Sequence, residues 1–287
     1  MDNKKQHLSD FDGYEKTANH YKVRRNNTFG ILSNDLETII PADYAEIIYR
    51  NNTGIFFCRK ELFKSKDTIY YCFDKNGSFL KELHYSYIWF DYFSNQDYYL
   101  FSEADSDFDT FYFDPKNEMT GEFGLIDAKL EQRLPARYGW ISIHNKDYIL
   151  YKGDNFEMHT PEDEHKFRSV INYYTLTGGK WGVMDSDHKI KIPFEYDWIY
   201  GTRNEQVFVV NKGGAMTYLE QVQDDNGTWF VEGGKWGIVD SENKTIIPVH
   251  YNRMSFYEDK ILLQEDSDKT ATQASVDLEK NYISYVL

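Results

Sequence analysis

Four carboxylates at alternate positions, Glu103, Asp105, Asp107 and Asp109 in EADSDFDT, are the sharpest candidate chemistry in this chain. On a strand they would share one face at a spacing of about 6–7 Å, from the strand rise. Like charges that close require cations nearby. A calcium loop of the EF type needs glycine at its sixth position and glutamate at its twelfth. Counted from Asp105, those positions are Thr110 and Lys116, so that geometry fails. A docking face for a basic partner and a solvated loop between strands are the two readings left.

A second cluster sets His159 and His165 around Glu162, Asp163 and Glu164. Imidazoles and carboxylates can hold zinc, but Pro161 and the polar run from 153 to 169 fit a surface loop better, and no metal is expected. No Gly-x-Ser-x-Gly, phosphate-cradling Gly-x-x-x-x-Gly-Lys or His-Glu-x-x-His stretch occurs. The chain therefore offers no catalytic residue and no cofactor motif, and it reads as a non-enzyme. Trp89, in YSYIWFDYF, stands outside the recurring aromatic positions and is the freest aromatic for a contact surface. The expected partner-binding set is Glu103, Asp105, Asp107, Asp109 and Trp89.

Those residues are carried by a chain of 287 with 24 Tyr and 20 Phe, enough to bury a large core and inclined towards strands. Its 32 basic and 47 acidic residues give a formal charge of -15. Such a field repels nucleic acid and anionic membrane and attracts basic partners, although it also simply confers solubility. The polar start, MDNKKQHLSDFDGYEK, has no apolar leader, and no apolar run approaches a membrane span. Cys58 and Cys72 match no metal or redox spacing and read as buried free thiols. A cytoplasmic location is the expectation.

The elements that must position the candidates come from a repeated phrase: TFGILSNDLETIIPADY, EFGLIDAKLEQRLPARY, KWGVMDSDHKIKIPFEY and KWGIVDSENKTIIPVHY. Phe29, Phe123, Trp181 and Trp236 each precede a glycine. Pro41, Pro135, Pro193 and Pro248 follow twelve positions after those aromatics, and Tyr44, Tyr138, Tyr196 and Tyr251 fifteen after. Strand, turn and strand ending in proline make each phrase a β-hairpin. Asn26-Asn27, Gly178-Gly179 and Gly233-Gly234 read as turns joining each phrase to a strand before it. The double gap from Phe29 to Phe123 hides a degenerate copy over 70–85, which keeps Asp74 and Tyr85 but has Tyr71 for the glycine and Glu82 for the proline. Five units result, near 29–44, 70–85, 123–138, 181–196 and 236–251, with a polar arm over 1–19 and a closing half-unit after 270.

The phrase resembles the bacterial WG-repeat, or KWG-repeat, family. Gly179-Lys180-Trp181-Gly182 with Asp185, Pro193 and Tyr196, and Gly234-Lys235-Trp236-Gly237 with Asp240, Pro248 and Tyr251, match its pattern fully. The resemblance implies a β-repeat scaffold with a binding role, and some bacterial proteins of this kind look like partners or antidotes of toxins. It brings no catalytic residue. The expected fold is all-β: about five hairpin units in a single domain over 20–287, stacked in a curved solenoid-like array or closed as a five-bladed propeller-like ring. The expected function is a protein-binding module for a basic protein, most concretely an immunity-type protein that neutralises a toxin domain, with a carbohydrate- or small-ligand-binding module as the alternative.

Overall fold

A computed structural model of the chain describes residues 6–61, 65, 67–90, 98–103, 123–153, 155–159, 170–202, 204–221, 224–257, 260–265, 272–277 and 282–286. Among them the chain is all-β, with one 3-10 turn at Leu8–Asp10 and no α-helix. The strands form six antiparallel meanders of four. The first holds β1 (Gly13–Lys16), β2 (His20–Arg25), β3 (Thr28–Ser33) and β4 (Thr38–Tyr44). The second holds β5 (Glu46–Arg50), β6 (Ile55–Arg59), β7 (Ile69–Asp74) and β8 (Phe79–His84). The third holds β9 (Tyr87–Trp89), β10 (Tyr98–Ser102), β11 (Phe123–Asp127) and β12 (Gln132–Tyr138). The fourth holds β13 (Trp140–His144), β14 (Asp147–Lys152), β17 (Lys180–Met184) and β18 (Ile190–Tyr196), with β15 (Asn155–His159) and β16 (Val170–Thr177) inserted. The fifth holds β19 (Trp198–Gly201), β20 (Val207–Gln221), β21 (Asp224–Asp240) and β22 (Thr245–Tyr251). The sixth holds β23 (Arg253–Tyr257), β24 (Lys260–Gln264), β25 (Thr272–Asp277) and β26 (Tyr282–Val286). The first three sheets, to Ala136, form one compact unit, and the chain from Arg137 forms another.

Each phrase supplies the third and fourth strands of its sheet, and the tyrosine closes the sheet. The following residue turns into the next one: the Ala45, Gly139, Asp197 and Asn252 amides donate to the Arg59, Tyr151, Asn211 and Gln264 carbonyls at 2.8–2.9 Å. The tail supplies β25 and β26, the closing half of a sixth sheet whose first half is β23 and β24. The arm expected over 1–19 also contributes β1 to the first sheet.

The five hairpins share one turn. The residue four after the aromatic accepts two backbone N–H groups, from the second and fourth residues beyond it. Asp74, Asp127, Asp185 and Asp240 do this with Oδ1 at 2.8–3.0 Å. Ser33 does it with its hydroxyl oxygen at 3.1–3.2 Å. The third residue beyond is left-handed in every copy: Leu36, Gly77, Leu130, His188 and Asn243, with φ between 61 and 82°. Side-chain capture of the turn amides makes this conformation tolerable for non-glycine residues.

The glycine and proline of the phrase act together. In the first, fourth and fifth sheets the aromatic pairs with the tyrosine fifteen later, as Phe29↔Tyr44, Trp181↔Tyr196 and Trp236↔Tyr251, and the register then slips inward. The fourth strand bulges across the glycine. A Cβ on Gly30 would meet the Ala42 nitrogen at 2.7 Å, and one on Gly237 the Ile247 oxygen and Val249 Cα at 2.8 Å. The degenerate copy shows the converse: with Tyr71 and Glu82 in place, those two residues pair directly and the ladder runs on unbulged there.

The second strands β6, β10 and β14 and the inner part of β20 are apolar without alternation because both faces are covered, whereas β2, HYKVRR, is polar and half-exposed. In β6, Ile55 and Phe57 join a cluster with Tyr99, Phe101 and Ile126 of the third sheet, whereas Phe56 and Cys58 join Ile31 and Ile40 of the first. In β20, Phe208 and Val210 pack with Ile149 and Trp181, whereas Val207 and Val209 pack with Ile261 and Leu263. Cys58 and Cys72 are buried free thiols in clusters on opposite faces of the second sheet.

Candidate functional site

What varies between sheets is the connection from the second strand to the third. In the first sheet it is Asn26-Asn27, both left-handed at φ 50 and 64°, a two-residue hairpin turn. In the second sheet it spans 60–68, in the third 103–122, in the fourth 153–179 and in the sixth 265–271. In the fifth it is the outer part of one long hairpin, 213–234. All leave from the same end of their own sheet, since each meander runs in the same order. Variable insertions at one end of a repeated unit mark the end available for binding.

Two of these connections extend the fifth sheet. β15 pairs β16, β16 pairs the outer half of β20, and β20 pairs the outer half of β21. The stretch read as a loop, 153–169, thus contributes a strand at Asn155–His159. The glycine pairs mark bends rather than turns. Gly214 lies opposite Gly233 inside the ladder, and Gly213, Gly233 and Gly234 have φ of 84, 72 and 72°. Gly178, at φ 75°, lies between β16 and β17. Glycine adopts such positive φ without the strain that a side chain adds.

The base of the connections is cationic. Where the fourth and fifth connections leave, Lys152 lies opposite Lys180 and Lys212 opposite Lys235. Like charges directly opposed destabilise a ladder, and each lysine here has local compensation. Lys180 Nζ lies 2.5 Å from Asp197, Lys212 Nζ lies 3.1 Å from Glu195 and 4.6 Å from the Tyr196 ring, and Lys235 Nζ donates to Asn252 at 2.6 Å. Lys152 sits 4.0 Å over the Phe194 ring. In the second sheet Lys60 sits 5.1 Å over the Tyr71 ring.

The residues expected to bind a partner separate into two groups. Glu103 is exposed at the start of the third connection. Asp105, Asp107 and Asp109 lie outside the described residues. Trp89 is corrected: it is 3% exposed, pairs with Leu100 in the ladder, and sets its ring 5.3 Å from Phe123, edge to face. A ring so enclosed has no surface to offer a partner. Trp140 and Trp198 pack on the buried Trp181 at 6.2 and 4.6 Å, so all three serve the core. His165 and its acidic neighbours lie outside the described residues. Among the described residues no group of three or more His, Cys, Asp or Glu is placed to hold a metal.

Residues 181–214 and 236–267 match a family described as the WG containing repeat. Those two segments are WG repeats. The two matched segments hold the full Lys-Trp-Gly phrases, while the Phe29, Tyr70 and Phe123 copies reproduce the same turn geometry with other residues. No curated protein sequence matches the chain. Among solved structures it is similar to the β-propeller domain of the Trilobed protease from Pyrococcus furiosus at 11% identity, covering 96% of this chain and 94% of that one, with a TM-score of 0.29. It is also similar to Kluyveromyces lactis Hsv2 at 10% identity, covering 96% and 97%, with a TM-score of 0.27. A eukaryotic initiation factor structure matches at 11% identity, covering 94% and 85%, with a TM-score of 0.28. No helix among the described residues is long and apolar enough to cross a membrane.

Proposed function

We propose that this WG-repeat chain is a non-enzymatic protein-binding module for a basic partner, in its most concrete form an immunity-type protein that neutralises a bacterial toxin domain. One observation carries the reading. The connections 60–68, 103–122, 153–179, 213–234 and 265–271 hold 21 acidic and seven basic residues, and the rest of the chain holds 26 acidic and 25 basic. All but one unit of the net charge of -15 therefore belongs to segments that leave the same end of their own sheets, and the repeat framework is nearly neutral. A field concentrated this way steers an oppositely charged protein and orients it on encounter. The two thiols, buried on opposite faces of a sheet, suit a reducing cytoplasm.

The test replaces Glu103, Asp105, Asp107 and Asp109 by lysine and measures association with the captured partner at two salt concentrations. At low salt the rate should fall by about tenfold or more, with the melting temperature unchanged. A rate indifferent to both salt and charge reversal would remove the reading. A small-ligand module has one observation in its favour, a cavity of about 380 Å³ on the first sheet lined by Phe11, Arg25, Thr28, Leu32 and Asp43 among others. Closing it with Thr28→Trp should leave protein binding intact. Loss of binding on closure, with no response to charge reversal, would favour the ligand module instead.

A further inference from the structure

The repeat sheets guard their outer edges. β4, β12, β18 and β22 are terminal in strand order and carry Pro41, Pro135, Pro193 and Pro248. In β4, β18 and β22 the proline sits in the bulged stretch opposite the phrase glycine. A missing donor and a kink discourage a further strand. β8, without proline, is protected by exposed charge at Lys81 and Glu82.

The outer half of β21, residues 224–234, has neither proline nor lysine, and its charges are all acidic: Asp224, Asp225 and Glu232. From Asp224 to Lys235 its ladder partners all lie on β20, and β22 joins only from Trp236 onward. One edge of residues 224–234 thus has no strand partner among the described residues. Its sequence, DDNGTWFVEGG, contains no proline, lysine or arginine, and Thr228 to Val231 is strongly β-favouring. At a strand rise of about 3.4 Å, residues 224–232 offer roughly 30 Å of backbone donors and acceptors. The opposite edge of the same sheet, β15, is only five residues long.

The geometry points to strand addition at this edge: an extended, basic segment of the partner protein pairs with the backbone of residues 224–232. The inference rests on the reading that the partner is basic. Backbone pairing supplies affinity and alternate side chains supply selectivity, as in other strand-addition complexes. Charge decides the occupant. Residues 213–234 contain Glu220, Asp224, Asp225 and Glu232 and no base, so two copies joined edge to edge would set acids against acids.

The experiment uses the full chain and three nine-residue probes: alternating Lys and Val, its Glu and Val counterpart, and the Lys and Val peptide N-methylated at every amide. Affinity is read by fluorescence anisotropy, and backbone engagement by amide hydrogen exchange with mass spectrometry. The lysine peptide should slow exchange within 224–232 by about tenfold or more and leave the 236–251 hairpin unchanged. The methylated peptide, which keeps the charge but lacks ladder donors, should lose that protection. Charge-dependent binding with unaltered exchange over 224–232 overturns strand addition and leaves the basic-partner reading standing. Equal binding of the glutamate peptide, or no binding of the lysine peptide, overturns the basic occupant. Protection of 224–232 that grows with protein concentration alone makes a second copy the occupant and also overturns the proposal.

Discussion

Asp197 holds Lys180 at 2.5 Å through one carboxylate oxygen and accepts the Gly213 amide at 2.6 Å through the other. One side chain thereby joins the lysine of a WG phrase to the point where the next sheet's long hairpin bends outward. In the following repeat Asn252 takes the corresponding place and accepts from Lys235. In these two repeats the residue after the tyrosine is thus a clasp on the lysine of the phrase.

Replacing Asp197 with alanine should loosen the bend more than the sheet. The Gly213 amide loses its acceptor and Lys180 its counter-ion. Hydrogen exchange over 213–221 and 224–234 should accelerate, and global stability should fall by about 1–2 kcal/mol. Uniform acceleration across the repeat hairpins instead would show that Asp197 supports the core and not the bend.

The turn residue offers a paired test. Asp240→Ala removes the acceptor for the Glu242 and Lys244 amides and should destabilise by about 1–2 kcal/mol. Asp240→Ser should recover most of this loss, because Ser33 already performs the same double acceptance. Equal losses in urea denaturation for both variants would refute the equivalence of the five turns.

Burial ranks the two repeat tryptophans. Trp181 is 1% exposed at the centre of a cluster, whereas Trp236 is only partly buried at the edge of another. Trp181→Ala should therefore destabilise by about 3–5 kcal/mol, and Trp236→Ala by roughly 2 kcal/mol. Thermal melts of both variants decide the ranking.

Asp127 predicts an acid limb. Burial pushes its carboxyl up, but the Glu131 amide, the Arg133 side chain and the Lys129 amide together outweigh that and hold it below the ordinary 3.8. A depressed folded value means that the stabilisation is present above the unfolded value and is lost as pH falls through the folded one. Stability should decline below about pH 4, and Asp127→Asn should flatten that decline. Denaturation midpoints from pH 3 to 7 that decline identically in both proteins would refute this assignment.

Sequence by itself settled whatever is local and repeated. Offsets of four, twelve and fifteen residues place the turn acceptor, the bulge proline and the paired tyrosine, because each acts within one hairpin. Even Ser33 and the degenerate copy at 70–85 follow from those offsets. The same spacing could not tell where one sheet ends and the next begins, since strands on either side of Tyr44 look alike in composition. That boundary rests on the Ala45 amide finding the Arg59 carbonyl. Burial of Trp89 was likewise invisible, because an aromatic outside the repeat register can be core or surface until Leu100 and Phe123 close around it. Gly233-Gly234 has the composition of a turn and lies instead within a ladder, because Gly213-Gly214 on the facing strand bends with it. Pairing between segments distant in sequence is decided by which backbones meet, and only the tertiary structure brings them together.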